Sequence, residues 1–247
     1  MKIGLIIVGD EILSGRRTDK HLPKIVEILK QRSLSLDWVR ILGDDPDDLE
    51  HCYRDSFARG DLVFSTGGIG ATPDDLTREA VARARGIEVE RHPEGKEILE
   101  QRAQETGRTL TPESYRLIEF PAGSELVPNP FNGIPGFALE KHYFVPGFPQ
   151  MAWPMIEWVL DTHYPDLGEH QYREYSLLVH SANESQVIPA METIMRDYPE
   201  VKAFSLPIIG DVLRIELGVK GPEQQAKPAL AYLKQALNDL QLQWDRH

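Results

Sequence analysis

Residues 61–79 read DLVFSTGGIGATPDDLTRE, and the parsing of this stretch decides the fold. Leu62-Val63-Phe64 is a short apolar run of the kind that fills a buried strand. It ends in Ser65-Thr66-Gly67-Gly68-Ile69-Gly70, where glycines permit positive φ and let a ligand approach the backbone closely. Thr72-Pro73-Asp74-Asp75 has the pattern of a helix start: Thr72 suits the N-cap, Pro73 the first helical position, and Asp75 completes a T-x-x-D capping box. Leu76, Ala80, Val81 and Ala84 follow at helical spacing. Strand, glycine loop and helix N-terminus, in that order, predict free backbone N–H groups offered to a phosphate. The glycines match neither G-x-x-x-x-G-K-[ST] nor G-x-G-x-x-G. Spacing alone leaves two readings of Asp74 and Asp75 open. First-turn carboxylates complement the helix dipole for about 0.3–1 kcal/mol; alternatively, a cation stands between them and the phosphate.

Outward from this stretch, strands and helices alternate. Residues 3–8 are nearly all apolar, as expected of a strand covered on both faces, and they end in Gly9-Asp10-Glu11 with Ser14-Gly15 beyond. A helix is expected from Asp19, with Leu22, Ile25, Val26 and Leu29 on one face. Residues 34–42 read as a second strand ending in Gly43-Asp44-Asp45-Pro46, and Leu49, Cys52, Tyr53 and Phe57 mark the next helix. This order predicts a doubly wound, mostly parallel α/β sheet, whose ligands bind at the carboxyl ends of the strands. Gly9, Asp10, Glu11, Asp44 and residues 66–70 all lie at such ends and should converge.

Residues 91–107 suggest a polar helix, and Thr111-Pro112-Glu113 opens another. Pro and Gly then mark turns and short edge strands through 121–136. Tyr143-Phe144-Val145 is a last apolar strand, and Pro146-Gly147-Phe148-Pro149 turns into a helix carrying Met151, Met155, Val159 and Leu160. Phe148, Trp153 and Trp158 are expected in the core. Residues 164–171 (YPDLGEHQ) read as a linker, giving domains at 1–168 and 169–247. The second is a small α+β module, β-α-β-β-α: strands at 175–179, 201–206 and 212–219, helices at 184–198 and 223–240. Gly218-Val219-Lys220-Gly221 spells the G-x-x-G of RNA-clamping loops, but it joins a strand to a helix here.

Bulk properties narrow the partners. Of 247 residues, 41% are hydrophobic and 27% charged, the composition of a globular protein. A net charge of −12 argues against nucleic acid or an anionic membrane as partner. The single cysteine, Cys52, excludes an intramolecular disulfide and suits a reducing cytoplasm. Lys2-Ile3 leads directly into a strand, so no secretory leader is expected, and no apolar run approaches ~18 residues. The histidines show no H-E-x-x-H spacing, and His21, His51 and His92 are expected to be packing or surface residues. Arg16, Arg17 and Lys20 flank the first loop.

The run 66–77, T-G-G-I-G-A-T-P-D-D-L-T, resembles the signature of the molybdopterin-binding MoaB/Mog-type domain. With the segments 7–15, 39–45, 132–137 and 144–149 in order, residues 1–165 resemble the N-terminal region of the competence/damage-inducible protein A family. That resemblance implies a metal-dependent hydrolase of nucleotide diphosphates such as ADP-ribose. In it Asp75 and Asp44 would be catalytic and, with Asp74 and Glu11, would hold a divalent ion of the Mg, Mn or Co type, a hard cation suited to oxygen ligands. Gly9, Asp10, Ser14, Thr66, Gly67, Gly68, Gly70, Thr72, Pro146 and Gly147 would hold the phosphate or nucleotide. The same resemblance implies as alternatives a molybdopterin-binding protein of molybdenum-cofactor handling, or a non-catalytic nucleotide sensor. It implies a KH-like second module and a homodimer or higher homo-oligomer whose partner is a small nucleotide or pterin phosphate. The family's deamidase domain has no room here, and its activity is expected to be absent.

Overall fold

Burial at all six positions makes β1 (Ile3–Val8) a central strand. It pairs in parallel with β2 (Trp38–Leu42) on one side and β3 (Leu62–Thr66) on the other. The connections carry α1 (Asp10–Leu13), α2 (His21–Gln31) and α3 (Pro46–Arg59). Asp45 caps α3, its carboxylate accepting from the Asp47 and Asp48 amides, and Pro46 opens it. The chain continues through α4 (Thr77–Arg85), β4 (Val89–Arg91), α5 (Pro93–Thr106) and a 3-10 helix (Pro112–Ile118). β5 (Glu119–Pro121), β6 (Glu125–Val127), β7 (Gly136–Leu139), β8 (His142–Val145) and α6 (Pro149–His163) complete this part.

The six-stranded sheet has the order β2-β1-β3-β8-β7-β6, with β8 parallel to β3 and an antiparallel edge of β7 and β6. The expected doubly wound, mostly parallel α/β sheet is therefore the fold. Its order reverses around β1, which places the ligand crevice of such sheets outside the carboxyl ends of β1 and β3. β4 and β5 form a separate two-stranded ribbon that periodicity does not show. One pairing is keyed by shape: Gly4 faces Trp38, and a Cβ on Gly4 would meet the indole at 2.1 Å. That indole donates to Asp61 at 2.9 Å and lies under the Arg59 guanidinium, 4.9 Å from the ring centre.

The core beneath β3 and β8 is aromatic, with Phe137 stacked on Phe144 at 4.3 Å and Tyr53 edge-on to Phe144 at 5.5 Å. Two buried polar contacts lie in it, Tyr53 Oη with Ser65 Oγ at 2.8 Å and Ser56 Oγ with His142 Nε2 at 2.7 Å, while His142 Nδ1 has no partner among the described residues. Burial, and then the Arg85 charge, pushes the His142 imidazole down to about 3, so it stays neutral. Phe148 departs from its expected place in the core, with 55% of its surface exposed.

The structure, a computed structural model, describes residues 1–167, 172–208 and 213–246. The chain divides into two compact units, Met1–Pro165 and Asp166–His247. The expected boundary at 168/169 lies outside the described residues.

The second unit contains β9 (Tyr172–His180), α7 (Glu184–Asp197), β10 (Lys202–Ile208), β11 (Arg214–Pro222), α8 (Glu223–Asp239) and β12 (Trp244–Arg246). β12 extends the expected β-α-β-β-α order by one strand. The sheet is antiparallel throughout in the order β10-β11-β9-β12, which is the ferredoxin-like βαββαβ arrangement. Leu177, Val179, Ile215, Leu217 and Val219 from the sheet pack with Leu233 and Leu237 of α8. The G-x-x-G run lies inside β11, where a Cβ on Gly218 would meet the Phe204 ring at 2.3 Å. Its glycines serve strand packing. No helix among the described residues is long and apolar enough to cross a membrane.

Candidate functional site

The carboxyl ends of β1, β3 and β8 carry glycine turns that lie side by side. Gly9 N donates to Leu42 O at 3.0 Å, and Gly67 N donates to Val145 O at 3.0 Å. Gly67 is obligatory: its φ is +97°, and a Cβ there would meet Val8 O at 2.2 Å. A Cβ on Gly147 would stand 3.4 Å from Gly67 Cα, so the turn after β8 touches the turn after β3. Among the described residues the Gly68 and Ile69 amides have no protein acceptor. The Thr66 hydroxyl, at the end of β3 where this turn begins, is buried and has no partner among the described residues.

His21, expected to be a packing or surface residue, reaches this point. Asp19 caps α2 by accepting from His21 N at 2.8 Å and Leu22 N at 3.0 Å. The imidazole is buried, with Nε2 3.0 Å from Gly147 O. A carbonyl only accepts, so Nε2 carries a proton, and Nδ1 is buried without a partner among the described residues.

The stretch 72–75 is a turn and does not open a helix, which corrects the capping-box reading. Asp75 N donates to Thr72 O at 3.1 Å, while α4 begins at Thr77 with Leu76 in the N-cap position. The Asp75 carboxylate folds back and accepts from Gly70 N at 2.7 Å, Thr72 N at 2.9 Å and Thr72 Oγ1 at 2.5 Å. Thr77 Oγ1 donates to Gly67 O at 3.1 Å, fastening the helix start to the glycine turn. Arg78, which the sequence reading missed, completes the fastening. It is 2% exposed, and its guanidinium donates to Ile69 O at 2.6 Å and to Gly70 O. Burial lowers its pKa, while Glu79, Asp75 and Glu119 act in the opposite direction.

The acidic loops do converge. Asp10 N donates to Asp44 Oδ2 at 3.0 Å and Asp44 N donates to Asp10 Oδ1 at 3.1 Å, a reciprocal pair bridging the ends of β1 and β2. Burial holds the Asp44 carboxyl above the usual range despite the bond from Asp10, and the charges of Asp10, Glu11 and Asp74 add to that. Ser14 is exposed and its amide donates to Asp10 O at 2.9 Å; Thr72 is exposed and belongs to the Asp75 turn. Pro146 and Gly147 form the turn after β8. As a metal centre the set does not fit. Among the described residues no three His, Cys, Asp or Glu side chains are grouped to hold an ion. The Asp75 oxygens are committed to three donors of their own loop.

A parallel α/β sheet with glycine turns around a crevice at its switch point defines a small-molecule-binding domain. The chain belongs to the family described as probable molybdopterin binding domain, whose model matches residues 4–167. It is 32% identical over 235 residues to a CinA-like protein of Anaeromyxobacter dehalogenans, covering 93% of this chain and 57% of that protein. It is 29% identical to a protein of Caldivirga maquilingensis, over 91% of this chain and 90% of the other. The crystal structure of the protein CinA with unknown function from Thermoplasma acidophilum has the same fold. Its TM-score is 0.58 at 24% identity, over 65% of this chain and 98% of that one. The chain spans 40 to 57% of the length of the first three CinA-like relatives. The expectation of a metal-dependent ADP-ribose pyrophosphatase is overturned. The matched family is molybdopterin-binding, and the alternative of a molybdopterin-binding protein fits it.

Proposed function

We propose that the α/β unit binds a phosphorylated pterin of the molybdopterin type between the carboxyl ends of β1 and β3, in a role of molybdenum-cofactor handling. The observation that carries this is that, among the described residues, the buried Thr66 hydroxyl at the end of β3 and the Gly68 and Ile69 amides of the turn that follows have no partner. A buried polar group without a partner is uncommon and calls for one. A phosphate supplies it: its oxygens accept from both amides and from the hydroxyl, on a turn held in place by the close packing of Gly67 against Val8 O and of Gly68 against Thr77 Oγ1. The carboxylates of Asp10, Glu11, Asp44 and Asp74 repel a second bare anion but accept hydrogen bonds from the amino and ring N–H donors of a pterin. Family membership supports the same ligand.

The test is anaerobic gel filtration of the full chain with molybdopterin released from a molybdoenzyme, with bound pterin read by fluorescence after oxidation. Stoichiometric co-elution is expected. Thr66→Val, which keeps the shape and removes the donor, should weaken binding about tenfold, the scale of one lost polar contact. Folded wild-type protein that elutes free of pterin overturns the reading.

A further inference from the structure

Apart from the crevice, the α/β unit holds a second cavity of about 230 Å³, lined by α5, the segment that follows it, the 3-10 helix and the 132–134 loop. Its floor is apolar, made by Leu99, Ala103, Leu110, Leu117 and Ile134. Its rim carries Arg102, Arg108 and Thr109. The chain places Arg102 with some care. Its stem lies against Gly133, whose φ of +79° and missing Cβ leave the room; a Cβ there would meet Arg102 Cδ at 2.9 Å. Arg102 Nε donates to Asn132 O at 2.9 Å and Nη1 to Glu105 at 2.8 Å. Among the described residues Arg102 Nη2 and the whole Arg108 guanidinium have no partner. In a chain of net charge −12, an unneutralised arginine beside an apolar hollow is a local exception.

We propose that this cavity binds a small organic anion, its carboxylate or phosphate head on the two guanidinium groups and its apolar body on the floor. A planar guanidinium matches the paired oxygens of either head, and the floor rewards a body that leaves water. The volume lies below the ~300–1,000 Å³ of drug-sized sites, which limits the body to roughly one ring. The cavity lies apart from the crevice, since none of its lining residues belongs to the glycine turns. The proposal therefore stands independently of the pterin reading.

The test uses 15N-labelled full-length chain titrated with benzoate, phenyl phosphate, inorganic phosphate and neutral benzamide. Benzoate or phenyl phosphate should shift amides within 99–117 and 132–134, and whichever binds tighter identifies the head. Benzamide and inorganic phosphate should bind at least tenfold more weakly, because each lacks one half of the recognition. Arg108 is exposed and has no partner among the described residues, so Arg108→Gln should keep the spectrum of the folded chain and lose at least tenfold in affinity. Benzamide binding as tightly as benzoate overturns the proposal, as do shifts located elsewhere or an Arg108→Gln variant of unchanged affinity.

Discussion

Replacing Arg78 with methionine removes the guanidinium that ties the glycine turn to α4 while keeping much of the buried stem. Two backbone carbonyls, Ile69 O and Gly70 O, lose a charged donor. Hydrogen bonds to a charged group contribute ~1.5–3 kcal/mol each. Part of that is returned, because among the described residues no carboxylate pairs with Arg78 and burying an unpaired charge is costly. The net loss should be about 2–4 kcal/mol, which at this chain length lowers the melting temperature by roughly 5–15 °C. Tryptophan fluorescence on heating is the appropriate assay. Trp38, Trp153 and Trp158 lie in the α/β unit and only Trp244 in the other, so the signal follows the unit that was changed. Arg78→Lys, which keeps the charge but not the fork, should fall between the two. A methionine variant that melts within about 1 °C of wild type would show that the guanidinium contributes nothing to the turn, and the account of the loop would fail.

Asp75→Asn turns one acceptor oxygen into a donor that faces the donors of Thr72 or Gly70. It should therefore cost about 1–3 kcal/mol in urea unfolding and be no milder than Asp75→Ala; an asparagine of wild-type stability would remove Asp75 from the turn. Asp44 binds its proton more tightly folded than unfolded. Its contribution to stability is fully present below the ordinary carboxylate range and is lost as pH rises through the raised value. Asp44→Asn keeps an acceptor for Asp10 N, so its urea midpoint should match wild type near pH ~3.5 and exceed it at pH 7; a lower midpoint at pH 7 contradicts the raised pKa. Gly67→Ala must place a methyl group against Val8 O at φ +97°, and circular dichroism should show it largely unfolded at temperatures where wild type is intact.

Much of the fold is legible from the sequence because buried parallel strands leave long apolar runs, as at residues 3–8 and 62–64. The convergence of Gly9, Asp10, Asp44 and Gly67 follows from placing each at a strand end. The turn at 72–75 is misread because T-x-x-D serves a capping box and a side-chain-closed turn equally well; only the later start of α4 at Thr77 separates them. Arg78 leaves a fainter sign. It stands three and four residues before Val81 and Ala82, on the buried side of the helix, where a charged residue calls for an explanation. Its partners are carbonyl groups, which carry no sequence identity. His21 is hidden for the same reason, since it bonds a glycine carbonyl 126 positions away. β12 and the β4–β5 ribbon have only three residues per strand, too few for alternation to register.

The indole of Trp38 lying on Gly4 has a consequence at the other end of the strands. Adjacent parallel strands can in principle slide along each other, and a slip of one residue exchanges the two faces. Here a slip would drive Ile3 or Leu5 into the space that only a glycine leaves for the ring. Gly4 faces Trp38, and further along Asp10 meets Asp44 across the same separation of 34 residues. The indole thus acts as an index pin: it sets the phase of two strands at their amino ends, and the two acidic loops arrive level at their carboxyl ends. A change at Trp38, at the opposite end of the sheet from every group that would touch a ligand, would then displace Asp10 relative to Asp44 without altering either residue.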